Sequence, residues 1–554
     1  MINKRKFIVG ASVLLLVLYI IFPWCKKSAV HVASVWDNNF IMGIPVVSET
    51  EILQKTVGLA ERDFVEGVLF KYTEVPLDVE EQTIYISQNV NSEFWEGNFT
   101  LTSDLKKQGY QLYLAEDADF FQKKEAIKNG HTFKMYVVGE DYSVLNVVFS
   151  GLGVMNIRYQ EELEMEESDP DTDPDAYYYE SEPRYRGDIA VFYAADEGEY
   201  QIRNGYIEYH LKGDSTSSYP KKGYALKFVD AGGKKVSVPL LGMDSNAKWK
   251  LNSLYTDNTL VREKSSIDIW KAMDEYDTGT TNFSYQSEYV EVVLDGNYLG
   301  VYLLIEGVDE ETFALNRKDV MYKCINWNVT DWPRIDDSVA HKWRIQFPYR
   351  IKYPEVIQDY QEVWAPVRDY VGVFFHETDK GNRTLAQRVD IDNLYDLNIF
   401  IDVCGLSDNH YKNMYLTARV QNDGSYVMSH YPWDLDLGFG HIYNHDAVAT
   451  YDYDENVEKT YQMEVLSRIL EENPEWKVVY YDKYCEYREN VLSNEKIETA
   501  MVSNWKKVKE SGALGRNQTL WMVEGKDSDI EDVTGWAKAH LEWLDVKYKS
   551  FLGK

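Results

Sequence analysis

One segment limits the possible folds of this chain more than any other. An apolar, helix-like run, DNLYDLNIFIDVC, stops at Gly405 and leads into the polar octet LSDNHYKN. The strand pattern MYLTARV, the turn QNDG and the strand pattern SYVMSHY follow, and then the residues PWDLD. Alternating apolar residues around a short Asn/Asp/Gly turn are typical of a β-hairpin. The sequence therefore predicts a helix, a polar loop and a hairpin that returns toward this loop.

The predicted hairpin brings three distant polar groups to one end. If the chain reverses in the middle of QNDG, opposed positions sum to about 845 and Asp434 lies within a residue or two of Asn413. Asp408, in the octet, belongs to the same end. Two carboxylates and an amide suit Mg²⁺, which usually binds one or two carboxylates plus substrate phosphates. The order Asp408-x4-Asn413, hairpin, Asp434 mirrors the catalytic Asp, the Asn and the metal-binding Asp of protein kinases.

A second segment has the composition of an anion-binding loop. The strand pattern YIEYHL runs into a small polar turn, from Lys212 to Ser215, and the strand pattern YALKF follows, with Lys222 before it and Lys227 within it. Such a loop can direct N–H groups and ammonium groups at phosphates. A plain hairpin turn is the alternative.

A third segment, TLVREKSSIDIWKAM, has the pattern of an amphipathic helix. Leu260, Ile267 and other apolar residues lie on one helical face, and Glu263 falls on the same face. A carboxylate on a buried face usually needs a cationic partner, which Lys222 or Lys227 would supply. The alternative is that Glu263 lies at the solvated edge of the face.

These stretches together resemble the CotH kinases, a family of atypical protein kinases named after a spore-coat protein. The likeness runs through most of residues 185–445, in the succession LKGDSTSSYPKKGYALKF, VPLLGMDSNAKWKLNSLYTDNTLVRE, EVVLDGNYLGVYLLIEGVD, RIKYP, LNIFIDVCGLSDNHYKNMYL and YPWDLDLGFG. The resemblance implies a kinase-like fold that transfers phosphate from ATP to Ser or Thr. It also implies ATP and Mg²⁺ (or Mn²⁺) as cofactors and a protein or other hydroxyl-bearing acceptor as partner.

The resemblance assigns chemical roles to single residues. Asp408 matches the catalytic Asp, which accepts or orients the proton of the acceptor hydroxyl. Asn413 and Asp434 match the metal ligands, and Asp436 is a further candidate ligand. The alternative role of Asp436 is to hydrogen-bond the turn before Gly438.

The resemblance also assigns residues to the nucleotide. Lys222 matches the second Lys of the family's Pro-Lys-Lys stretch, and Arg262 matches the Arg of its Leu-x-Arg. Lys222 or Lys227, steadied by Glu263, would hold phosphate oxygens. Glu306 ends the hairpin EYVEVVLDGNYLGVYLLIE, where a kinase-like hinge would meet adenine.

The chain departs from the family at one turn, where the usual Arg-Gly-Asn-Ser is Lys-Gly-Asp-Ser at Lys212–Ser215. Lys cannot make the bidentate phosphate contact of Arg, and the Asp adds a negative charge near the nucleotide. Two alternative functions therefore stay open. One is a catalytically weak pseudokinase, and the other, given 43 Tyr and 15 Trp, is a glycan-binding structural protein of the cell surface.

The N-terminus predicts a membrane anchor. Phe7–Cys25 is an uncharged run of 19 residues between basic residues on both sides. As a helix it would span roughly 28 Å, close to the hydrocarbon thickness of a bilayer. Small residues at a cleavage site are missing directly after the run. We therefore expect a single-pass protein of the cell membrane with its large domain outside, and a secreted protein after signal cleavage is the alternative.

The remaining patterns divide the chain and complete the expected class, α+β. Short alternating runs between residues 83 and 159 read as strands, and 161–183 holds eleven acidic residues and no basic one. The last hundred residues look helical. We expect an N-terminal anchor, 1–27; a β-rich accessory domain, 28–160; an acidic linker, 161–184; an atypical kinase-like domain, 185–445; and its helical C-terminal region, 446–554.

Charge and cysteine content exclude several classes of protein. The formal net charge of −33 repels phosphate backbones, so we expect no nucleic-acid partner. Four cysteines in 554 residues exclude a disulfide scaffold and a cysteine-rich metal cluster.

Overall fold

The computed structural model describes residues 40–164, 183–194, 199–213, 218–277, 279, 283–325, 345–346, 348–374, 383–409, 412–442, 451, 461–524 and 528–551. The predicted anchor, most of the acidic linker and Ser215 lie outside these residues. Within them, no helix is both long enough and apolar enough to cross a membrane.

The N-terminal part is built on a seven-stranded sheet and a three-stranded sheet. Its strands are β1 (Phe40–Ile41), β2 (Ile44–Val47), β3 (Val68–Phe70), β4 (Thr73–Glu74), β5 (Leu77–Asp78), β6 (Thr83–Ser87), β7 (Phe99–Leu101), β8 (Gln111–Ala115), β9 (Thr132–Val138) and β10 (Tyr142–Ser150). Its helices are α1 (Glu49–Thr56), α2 (Ser103–Lys107) and α3 (Lys123–Lys128). The orders are β1-β2-β8-β9-β10-β6-β5 and β4-β3-β7. Strand β9 alternates buried and exposed residues, as a sheet with one covered face requires.

A closed barrel follows. The elements of this part are β11 (Gly153–Glu162), β12 (Tyr185–Tyr193), β13 (Gln201–Lys212), β14 (Gly223–Val229), β15 (Val238–Pro239), β16 (Ser245–Asn246), β17 (Lys248–Asn252), α4 (Arg262–Tyr276), β18 (Ser287–Leu294) and β19 (Asn297–Glu306). The barrel order is β11-β12-β13-β14-β17-β19-β18, and it closes by parallel pairing of β11 with β18. Alternate residues, such as Leu226, Trp249 and Leu304, fill its interior. The predicted boundary at residue 160 falls within β11.

A second lobe follows the barrel and is built on a five-stranded sheet. Its elements are β20 (Val320–Cys324), β21 (Ile345–Gln346), β22 (Tyr349–Tyr353), α5 (Tyr360–Phe374), α6 (Ile391–Cys404), β23 (Met414–Val420) and β24 (Tyr426–Pro432). The sheet order is β21-β22-β20-β23-β24. Helix α6 is buried along nearly all its length, which explains why its sequence shows no polar face.

Five helices complete the described chain: α7 (Tyr461–Glu472), α8 (Trp476–Glu489), α9 (Asn494–Glu510), α10 (Ala513–Trp521) and α11 (Ile530–Phe551). They pack on α4, α6 and the barrel, and their apolar residues belong to the same core as those of the second lobe. Helices and sheets together confirm the predicted α+β class.

Candidate active site

The site begins where helix α6 ends. Gly405 takes a left-handed conformation (φ +60°) and closes the helix with N–H bonds back to Asp402 and Ile401. The end of α6 is also joined to the segment around Phe439, because the Phe439 N–H donates to the Cys404 carbonyl at 2.7 Å. The loop that carries Asp408 is therefore held against the chain that follows Asp434.

The hairpin register differs by one residue from the predicted register. Met414 pairs with Pro432, so opposed positions sum to 846 instead of 845, because the turn is centred on Asp423. The Trp433 N–H donates to the Asn413 carbonyl at 2.9 Å, which extends the ladder by one pair. Asn413 (φ +55°) and Asp434 (φ +59°) are both left-handed. The hairpin thus places the two predicted metal ligands, Asn413 and Asp434, on neighbouring segments of the same chain.

Asp408 lies at the centre of the loop and is only 6% exposed. Its Oδ2 accepts from Asn413 Nδ2 at 2.7 Å and lies 3.2 Å from Lys412 Nζ. Its Oδ1 is buried and has no hydrogen-bond partner among the described residues. Burial raises the pKa of Asp408 to about 6, although Lys412 opposes the shift. The carboxylate therefore keeps one free oxygen and a proton affinity suited to exchange near neutral pH.

The pKa of Asp434 is shifted in the opposite direction to the pKa of Asp408. Its Oδ1 lies 3.4 Å from Lys212 Nζ, and its side chain is 37% exposed. Burial alone would raise its pKa, but Lys212 and Lys323 outweigh burial and hold the pKa of Asp434 below its usual value. Asp434 is therefore ionised at neutral pH.

A polar chain connects Asp434 to helix α4. Lys212 Nζ also contacts Asn252 Oδ1, and Asn252 Nδ2 contacts Glu263 Oε1. Glu263 is 2% exposed, and burial raises its pKa to about 7. The partner of Glu263 is thus Asn252 and neither Lys222 nor Lys227, and Lys227 pairs with Glu208 instead.

Asp436 completes a group of acidic side chains. Burial raises its pKa, and the negative charges of Asp434, Glu263 and Asp408 add to the shift. The carboxylates of Asp408, Asp434 and Asp436 do not converge within 4.8 Å of one another. They form an open acidic site, which suits a cation that also takes ligands from phosphates.

A comparison with protein-family models shows which family this chain belongs to. The family model described as CotH kinase protein matches residues 209–542, more than half of the chain. The chain belongs to the CotH kinase family. This confirms the predicted resemblance, and the match extends beyond residue 445 and ends within α11, at residue 542. A search of curated proteins finds no match.

The other predicted nucleotide residues of this CotH family member are spread over several environments. Lys227 forms an ion pair with Glu208 at 2.9 Å on the outside of the barrel. Lys222 lies partly exposed just before β14. Arg262 is fully buried, 2.7 Å from Asp257, and its Nε donates to the Phe439 carbonyl. It connects α4 to the segment behind Asp408.

Glu306 lies at the end of β19, where the barrel leads to the second lobe. Its carboxylate accepts from Asn246 Nδ2 and from the Gln286 N–H, both at 3.3 Å, and burial raises its pKa. The next residue, Gly307, donates its N–H to the Lys248 carbonyl at 2.7 Å.

Three residues of the site were not predicted from the sequence: Asn252, Lys250 and Lys323. Lys250 and Asn252 lie two positions apart on β17, the strand directly before α4, and therefore share one face. Lys323 lies on β20, opposite Tyr415 of β23. The alternation in KWKLN was the available signal, but only the pairing of β17 with β14 shows which cleft that face lines.

Proposed function

We propose that this CotH family member is a kinase that transfers the γ-phosphoryl group of ATP to a Ser or Thr hydroxyl of a protein acceptor. One observation carries the proposal: the buried Oδ1 of Asp408, which has no hydrogen-bond partner in the described part of the chain, lies in a loop joined to Asn413, next to the ionised Asp434. Most buried polar atoms in proteins are hydrogen-bonded, so an open carboxylate oxygen between an amide and an ionised carboxylate fits a ligand-binding role.

The acidic residues supply the ligands for a divalent cation. Asn413, Asp434 and Asp436 would hold Mg²⁺ or Mn²⁺ through hard oxygen atoms. Burial raises the pKa of Asp436, and the neighbouring negative charges that add to this shift are neutralised when a cation binds. When bound, the cation neutralises the phosphate charge that builds up during transfer.

Basic residues supply the complementary charge for the phosphates. Lys212, Lys250 and Lys323 surround Asp434. Burial lowers the pKa of Lys250 to about 7, and Lys212 and Lys323 add to the shift. Lys250 and Lys323 have no hydrogen-bond or ion-pair partner in the described part of the chain. An anionic ligand removes this repulsion, and a triphosphate has the required charge.

Asp408 accepts the proton of the acceptor hydroxyl in the transfer step. The acceptor oxygen forms a bond to the γ-phosphorus while the bond to the oxygen that stays with ADP breaks, and the hydroxyl proton moves to Asp408. Lys412, 3.2 Å from Asp408, orients the carboxylate. Asn413 holds the other side of the same oxygen and so fixes Oδ1 toward the acceptor.

The N-terminal sequence supports a location for the protein in the cell. We propose that Phe7–Cys25 anchors the chain in the cell membrane, with the kinase outside. Proteinase added to intact cells should then degrade the bulk of the protein, and full protection would contradict this orientation.

The proposal is tested by thermal shift and transfer assays. ATP with Mg²⁺ or Mn²⁺ should raise the melting temperature by several degrees, and Asp434→Asn should abolish the rise. Transfer of labelled γ-phosphate to a protein acceptor should depend on the metal. A chain that gains stability from nucleotide but transfers no phosphate is a pseudokinase, and a chain that gains none is not a nucleotide-dependent enzyme.

A further inference from the structure

A buried amide side chain next to Asp408 joins the two segments that carry the predicted metal ligands. Asn409 is fully buried, and its Nδ2 donates to the Asn413 carbonyl at 2.9 Å and to the Trp433 carbonyl at 2.7 Å. Trp433 directly precedes Asp434. One bond therefore ends on the backbone of one candidate ligand, and the other ends on the residue before the second ligand.

The backbone that Asn409 holds is in a rare conformation. Asn413 (φ +55°) and Asp434 (φ +59°) are both left-handed, and such residues persist only where the surrounding structure supports them. The Asn413 carbonyl also accepts from the Trp433 N–H at 2.9 Å. Two donors from two segments thus meet at one carbonyl, which fixes the backbone from which the Asn413 side chain reaches Asp408.

Other contacts hold both segments that Asn409 connects. The ring of Trp433 is buried and packs against the ring of Tyr285, with centroids 5.1 Å apart. The loop before Asn409 is fixed by the N–H of Ser407, which donates to the Leu437 carbonyl at 3.0 Å. Because each segment is held in this way, the Asn409 amide fixes the distance between them.

The hydrogen-bond pattern requires a primary amide at position 409. Two bonds from one atom need a nitrogen with two protons, which neither a hydroxyl nor an ionised carboxylate can supply. The amide oxygen of Asn409, Oδ1, is buried and has no hydrogen-bond partner in the described part of the chain. A buried acceptor without a partner costs stability, so the contribution of Asn409 lies in the two bonds that its nitrogen donates.

From these contacts we infer that Asn409 is a positioning residue, which holds Asn413 and Asp434 in the arrangement that binds the divalent cation. The inference rests on the proposed kinase function and adds a residue to its cation site. Asn409 acts through the backbone of the ligands and does not touch the cation. Residues that orient metal ligands typically contribute about 10- to 100-fold to metal affinity.

The test measures binding of Mn²⁺ to the full-length chain by electron paramagnetic resonance, in which the signal of free Mn²⁺ is lost on binding. A chain with a net charge of −33 also attracts Mn²⁺ elsewhere, so Asp434→Asn defines the part of the binding that belongs to this site. Asn409→Leu keeps the branched shape of the side chain and removes both donors. It should bind Mn²⁺ at least tenfold more weakly. Asn409→Ser can donate only once and should also bind more weakly; it decides the question if Asn409→Leu does not fold.

Asn393 provides a matched control on the same hairpin. It is fully buried in α6, and its side chain also makes two hydrogen bonds to backbone groups of β24. Its Nδ2 donates to the His430 carbonyl at 3.0 Å, and its Oδ1 accepts from the His430 N–H at 2.7 Å. Both bonds end on His430 and neither ends beside a candidate metal ligand. Asn393→Leu should therefore lower the melting temperature, as Asn409→Leu does, and leave the affinity for Mn²⁺ unchanged.

Three results would overturn the inference. Asn409→Leu and Asn409→Ser bind Mn²⁺ as tightly as the unmodified chain; Asn393→Leu loses as much affinity as Asn409→Leu, which would make Asn409 a structural contact; or the unmodified chain binds no more Mn²⁺ than Asp434→Asn does. The last result would contradict the proposed cation site as well. The first two leave that site intact, so a failure of the inference is distinct from a failure of the proposed function.

Discussion

Asp408 and Asp434 are two carboxylates of one site whose pKa values move in opposite directions. Burial dominates at Asp408 and raises its pKa to about 6, whereas Lys212 and Lys323 dominate at Asp434 and lower its pKa. Pairs of acids with diverging pKa values divide into a proton-transfer group and a permanently charged group. The division here matches a base at Asp408 and a cation ligand at Asp434.

Replacing Asp408 with Asn removes the proton acceptor and keeps the size of the side chain. Transfer should fall by about 10²–10⁴, the usual scale for a lost general base. Stabilisation by ATP and Mg²⁺ should persist, because Asp434 and the lysines remain. Transfer rates and melting curves measure the two effects. If Asp408→Asn unfolds the protein or leaves transfer intact, Asp408 has no chemical role.

The pH profile of kcat/KM should have an acidic limb and an alkaline limb. Ionised Asp408 is required, so kcat/KM should rise through about pH 6. Protonated Lys250 is required, so kcat/KM for ATP should fall above about pH 7. Bound phosphates raise the pKa of Lys250, so kcat should lose the alkaline limb. Lys250→Arg stays charged and should remove that limb from kcat/KM; a limb that stays near pH 7 in this variant belongs to another group.

The local sequence pattern predicts which acidic residues come together in the site better than it predicts which lysines do. Asp408, Asn413 and Asp434 lie at the ends of a helix and a hairpin, so local patterns predicted their approach to within one residue of register. Asn252 contacts Lys212 and Glu263, and Lys250 lies close enough to Lys212 for its pKa to be lowered, because β17 joins β14 in a closed barrel. Long-range strand pairing of this kind leaves no local signal, so the local sequence pattern favours Lys222 and Lys227 instead.

At the scale of elements, the end of α6 is fixed by its contact with α11. A Cβ on Gly405 would lie 2.7 Å from the Trp536 ring, and the residue is left-handed. His540, one turn further along α11, stacks on Trp536 at 4.6 Å and bonds the Asp402 carbonyl at 2.7 Å. Helix α11 therefore supports the turn from which the Asp408 loop departs.

Gly405→Ala should destabilise the fold more than Gly424→Ala does. Both positions have positive φ, so both variants incur backbone strain of order 1–3 kcal/mol. Gly424 has open space around it, whereas Gly405 meets Trp536. The additional cost at Gly405 should be about 1–3 kcal/mol, the usual range for overpacking, in urea denaturation. Equal costs at the two positions would show that Trp536 moves away freely.

At the scale of the whole molecule, the C-terminal helices hold the barrel and the N-terminal sheets together. Arg516 of α10 makes two hydrogen bonds, at 2.9 and 2.8 Å, to the fully buried carboxylate of Glu291 on β18. Lys221, the first Lys of the Pro-Lys-Lys stretch, is buried and bonds Asn517 of the same helix at 2.9 Å. Ser511, just before α10, accepts from the N–H of Gly151 at the end of the N-terminal sheet.

Removing Arg516 should therefore weaken the entire fold. Burial alone would raise the pKa of Glu291, but Arg516 outweighs it and keeps the carboxylate ionised. Arg516→Met leaves that charge buried without its partner, which typically costs about 3–5 kcal/mol. Adding Glu291→Gln should recover part of the loss, and Lys496→Ala on the exposed side of α9 should cost almost nothing. Chemical denaturation with a probe in each part of the chain measures the effect. If only the helical part unfolds earlier while the barrel keeps its midpoint, the pair is a local contact and the C-terminal helices are not required by the rest of the molecule.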